Sequence, residues 1–100
     1  MAQLTAAERL AKIKVAIYGT SAQNFNDEQL QFYIDEVIEE LVDAGVAREI
    51  AESNAAVGCI AVGVNDIWNY SSGDVRHSDY FNSRLVQLAS KAVSANVQTK

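Results

Sequence analysis

One hundred residues make a chain of single-domain size, able to bury roughly two-thirds of its unfolded surface in one core but not to build two. Apolar residues are 49% and charged residues 21% of the chain, a globular balance that excludes intrinsic disorder. The net charge of −5 is unevenly placed: residues 1–25 carry +2, residues 26–52 carry −8 (nine carboxylates against Arg48) and the remainder +1, so the basic stripe of a DNA-gripping protein is missing.

Proline is absent, and Gly19, Gly45 and Gly73 fall where periodic segments end, a layout that predicts helices with short connections. The first segment opens on Thr5-Ala6-Ala7-Glu8, a Thr-x-x-Glu capping box. Leu10, Ile13 and Ile17 follow at helical spacing, with Arg9 and Lys12 off the stripe, and predict a helix over 6–18. Residues 21–25 read as a loop. A second capping signal, Asn26-Asp27-Glu28-Gln29, starts a helix over 27–44. Its apolar face is Leu30, Ile34, Val37, Ile38 and Leu41, and Glu36, Glu39, Glu40 and Asp43 mark the opposite face.

The third segment is the most apolar, with Val57, Ile60, Ala61, Val64, Ile67 and Trp68 at steps of three and four, widened by Cys59 and Val62. A helix apolar over so much of its circumference is central to a bundle or shared with a neighbouring subunit. Its span is about 48–70; either Ser53 and Asn54 cap it or Arg48–Glu52 belong to it. Ser71-Ser72-Gly73-Asp74 is a turn cluster. Ser78 or Asp79 caps a fourth helix with the stripe Phe81, Leu85, Leu88 and Ala92. Past Val93 no stripe remains. The expected fold is therefore an all-α, four-helix bundle with short loops: one domain over 1–93 and a flexible C-terminal tail over 94–100.

Chemistry has little to stand on. Cys59, the only cysteine, allows no internal disulfide and no thiolate-built zinc site, and its place on an apolar helix reads as a buried inert thiol rather than a nucleophile. His77, the only histidine, lies in a polar stretch beside Arg76 and Asp79 and reads as an exposed loop residue rather than a general base. The carboxylates of the second helix lack both a calcium-loop pattern and a Glu-x-x-His pair, so a solvated or ring-lining face is favoured over a metal site. Gly58 to Gly63 lacks the Lys-Ser/Thr of a phosphate loop, and both glycines are expected at close helix–helix approaches. No catalysis, cofactor or metal is expected. The N-terminus lacks a basic start and apolar run, and no stretch reaches 18 apolar residues; a soluble protein made in a reducing cytoplasm, with no membrane span, is expected.

Trp68, Tyr70, Tyr80 and Phe81 flank one connection, where they can close the core, form an interface, or do both. Around them run Ala61-Val62-Gly63-Val64-Asn65-Asp66-Ile67-Trp68-Asn69-Tyr70, Ser72-Gly73-Asp74, Ser78-Asp79-Tyr80-Phe81 and Arg84-Leu85-Val86-Gln87-Leu88-Ala89. With Tyr33–Glu39 before them, these segments resemble the head–tail connector (adaptor, head-completion) proteins of long-tailed phages over residues 26–90. The resemblance implies a structural virion protein at the head–tail interface, assembled in the host cytoplasm as a homo-oligomeric ring, in some cases only on the portal. It implies docking on the portal protein and a stopper or tail-completion protein below, with DNA passing through the channel without specific binding. Trp68, Tyr70, Tyr80, Phe81 and Arg84 are then the expected subunit or partner interface. Glu36, Glu39, Glu40 and Asp43 are the expected channel lining, and the tail orders on docking. The alternatives are a small helical regulator that binds one protein through an apolar groove without forming rings, and a helical DNA-binding module, which the acidic balance disfavours.

Overall fold

A computed structural model describes residues 3–70 and 78–98, with Ser21 and residues 91–98 through their backbone alone. Thr5 and Glu8 close the expected capping box: the Thr5 hydroxyl accepts the Glu8 N–H at 3.1 Å and Glu8 accepts the Thr5 N–H at 2.9 Å. Helix α1 runs from there over Ala6–Ile17. Residues 21–25 are more ordered than a loop, since Ser21–Asn24 form a 3₁₀ turn and Ala22 is fully buried. Asn26 and Gln29 make a second reciprocal box, and α2 spans Asp27–Asp43 with Leu30, Ile34, Val37, Ile38 and Leu41 buried as the periodicity requires. Gly45, at φ +106°, supplies the left-handed exit that a side chain would resist.

The third segment is not one helix. Arg48–Ala51 form a single turn, α3, and Ser53 then stops it: its hydroxyl donates to Ile50 O at 2.8 Å and accepts the Ala55 N–H at 3.2 Å. A 3₁₀ turn over Asn54–Ala56 leads into α4, Val57–Tyr70. The start expected near residue 48 therefore moves to Val57, because Ser53 takes up backbone groups that a continuous helix would need. The final helix, α5, runs over Asp79–Gln98, capped by Ser78, whose hydroxyl accepts the Phe81 N–H at 3.3 Å. Its backbone stays helical through much of the segment expected to form a loose tail. The Ser71–Asp74 turn cluster, His77 and residues 99–100 lie outside the described residues.

The architecture is all-α. Among the described residues the only β pairing is an isolated bridge between Gln3 and Ser53, and no helix is long and apolar enough to cross a membrane. Helix α4 is the axis: α1, α2 and α5 all pack on it. Ile60, Val64 and Ile67 meet Ile13 and Ile17 of α1, Leu30 to Leu41 of α2 and Phe81 and Leu88 of α5 in one continuous core.

Two expectations about charge and packing are corrected here. Arg9 is not off the buried side of α1; it is 7% exposed, and its guanidinium donates to Leu4 O at 2.9 Å and Glu52 O at 3.3 Å. The cation thereby ties the N-terminal segment to the C-terminal carbonyl end of α3. Gly63 does mark a close approach, since a Cβ there would lie 2.7 Å from Phe81 Cε2 and 3.0 Å from Val37 Cγ1. Gly58 does not: nothing lies within 4 Å of its Cβ position, and it faces solvent.

Candidate functional site

The acidic side of α2 follows from its period. With five aliphatic residues turned inward, Glu39 and Asp43 stand exposed, and Glu36 and Glu40 are half-buried at the margin. Glu39 is not a solitary charge. Arg48 grips it with both terminal nitrogens, at 2.8 and 3.0 Å, and reaches Glu52 at 3.5 Å. The Arg48 hydrogen bond holds the Glu39 carboxyl below its ordinary range. A forked pair of this kind fixes α3 against α2 while cancelling one carboxylate of the face. Residues 26–47 carry no lysine or arginine, so cations reach α2 from other segments, as Lys14 does at Asp27 and Arg48 at Glu39.

The aromatic group does not act as one cluster. Phe81 is 1% exposed and fills the notch over Gly63. Trp68 is half-buried and meets Phe25 edge-on at 4.8 Å, and Phe25 in turn lies 4.9 Å from Tyr33. Tyr70 and Tyr80 remain exposed at 52% and 57%. Half-buried Arg84 hydrogen-bonds Gln87 along α5. Of the five expected contact residues, Tyr70 and Tyr80 are thus the ones presented outward, and Phe81 is spent on the chain's own core. Between them, Asp66 Oδ2 accepts the Ser78 N–H at 2.8 Å and binds the end of α4 to the start of α5.

Reading by stripes passed over three exposed apolar side chains, Val15, Tyr18 and Phe32, which sit on the polar arcs of α1 and α2. Their signal was present: a large apolar residue in the arc opposite a complete inward stripe.

Cys59 is fully buried, and removal from water pushes its thiol up to about 11. The protonated thiol is a poor nucleophile at neutral pH. Because the folded state holds this proton and an exposed thiol loses it near 9, stability contributed by the neutral thiol is complete below pH 9 and falls as pH rises towards 11. The Cys59→Ala variant should therefore lose less stability than the parent between pH 9 and 11 in urea titrations, by up to about 2–3 kcal/mol. Parallel curves for the two proteins would count against that assignment. Among the described residues no three His, Cys, Asp or Glu side chains converge as metal ligands. Comparison with protein-family models, with curated proteins and with solved structures finds no match to this chain.

Proposed function

We propose that this chain is a structural ring subunit of the head–tail connector class: it binds a portal ring, takes a stopper or tail-completion protein below, and catalyses nothing. The reading rests on the resemblance of residues 26–90. Its chief support in the fold is that outward tyrosines and a carboxylate face occupy different elements, as a head-to-tail ring subunit with unlike surfaces requires. Tyr70 and Tyr80 make the partner contact. Glu36, Glu40 and Asp43 line the channel, where negative charge repels DNA phosphate and lets the duplex slide.

Electron microscopy of the protein alone and mixed with the portal of its phage tests this. Closed rings on the portal are expected; a protein that never binds the portal is not a connector. Neutralising the lining through Glu36→Gln, Glu40→Gln and Asp43→Asn, with Glu39 left on Arg48, should spare assembly and hinder DNA passage. Loss of assembly would remove the lining assignment. The second reading, a regulator gripping one partner, draws on an open cleft of about 250 Å³ lined by Lys14, Ile17, Tyr18, Gln23, Phe25 and Leu30. A one-to-one complex without rings would favour it.

A further inference from the structure

Helix α1 is apolar on two sides. Its inward side buries Ile13 and Ile17, but Ala7, Ala11, Val15 and Tyr18, spaced by four, four and three residues, form a second stripe facing water. Val15 and Tyr18, at 77% and 82%, are the most exposed large apolar side chains among the described residues. Ala7 and Ala11 are small and exposed, and Lys12 and Lys14 stand on the two flanks of the stripe.

Helix α2 carries the counterpart. Phe32 projects from its outer side at 63% exposure, steadied edge-on by Tyr33 at 5.3 Å, with exposed Glu28 one turn before it and Asp35 one turn after. One helix thus offers a small-residue stripe bordered by ammonium groups. The other offers an aromatic ridge bordered by carboxylates. Helices pack by setting large side chains of one between small side chains of the other, and opposite charge at the margins fixes the register.

Within the chain, α1 and α2 touch at one end through the Lys14–Asp27 pair at 3.0 Å, and both outer stripes remain open to water. We infer that the occupant of the α1 stripe is a second copy of this chain, which seats Phe32 of its α2 between Ala7 and Val15 with Glu28 and Asp35 beside the lysines. The contact joins two different surfaces, so it propagates from copy to copy and closes or extends according to its rotation. It rests on the ring reading above and specifies the contact between neighbouring subunits. The contact uses the N-terminal half of that side of α2 (Glu28, Phe32, Asp35) and the channel lining its C-terminal half (Glu36, Glu40, Asp43), so the two adjoin along one side of the helix without sharing a side chain.

Two single-site variants, Ala11→Cys and Asp35→Cys, test it with a short bis-maleimide crosslinker; Cys59 is buried and stays out of reach. An equimolar mixture at high concentration should give several-fold more covalent dimer than either variant alone, and adding Phe32→Asp to the Asp35→Cys chain should abolish the excess. Equal yields from the mixture and from single variants, or yields indifferent to Phe32→Asp, would overturn the contact. Phe32→Asp is an exposed change and should leave the melting temperature in place, which separates lost docking from lost folding. Portal-templated rings that form normally with Phe32→Asp would sink this contact and leave the ring reading standing. A mixture-specific crosslink without rings on any portal would do the reverse.

Discussion

Phe81→Ala should lower the unfolding free energy by about 3–5 kcal/mol, a large part of the 5–15 kcal/mol that holds a domain of this size together. The ring is 1% exposed and is the largest of the fully buried side chains, so its removal leaves a cavity between α4 and α5 that the Gly63 notch cannot fill. Its chain neighbour has the opposite assignment. Tyr80 is 57% exposed, and Tyr80→Ala should change stability by no more than about 0.5 kcal/mol while, on the connector function proposed above, weakening attachment to a portal ring. Urea melts of the two variants alongside portal binding by the folded one separate the roles. Equal stability losses would show that the division of labour between adjacent aromatics is wrong.

The second large effect is expected at Gly63, and it is an effect of adding atoms. A Cβ at this position meets Phe81 Cε2 at 2.7 Å, Val37 Cγ1 at 3.0 Å and Phe81 Cδ2 at 3.1 Å. Phe81 is enclosed on all sides and cannot swing aside as a surface side chain would. The roughly 1 kcal/mol that alanine gains over glycine in a helix is outweighed by overpacking of about 1–3 kcal/mol, so Gly63→Ala should lose stability. Gly63→Leu should lose about 3 kcal/mol or more, with a helix spacing the core can no longer close. Gly58→Ala, with empty space around its Cβ, should gain about 0.5–1 kcal/mol. Thermal melts of the three variants should rank Gly58→Ala above the parent and Gly63→Leu last. A stabilised Gly63→Ala would mean that α4 and α5 have room to part.

These two glycines show where sequence reading stops. They lie five residues apart on one helix with the same propensity penalty, and only the packing of Phe81 and Val37 tells them apart. Local patterns were legible: both capping boxes sit on the residues that spell them, and the inward stripe of α2 is buried residue for residue. Decisions made by distant partners were not. Arg9 looks like surface charge until the carbonyls of Leu4 and Glu52 come within reach of it. Ser53 looks like one polar residue on a long helix until it ends one turn and starts another. For the site, periodicity placed the carboxylate face correctly but missed that Arg48, nine positions away, claims Glu39. Proximity in sequence also grouped four aromatics that separate into core, edge and surface, because neighbours on a helix point 100° apart.

The carboxylate of Asp66 on the Ser78 amide clamps the two helix ends directly, independently of whatever chain runs between them. Chain added between Tyr70 and Ser78 therefore leaves this clamp and the Phe81 and Leu88 anchors of α5 with the partners they have. If the proposed ring forms, a short epitope inserted there would be carried once per copy, and its antibody would count the copies in each ring.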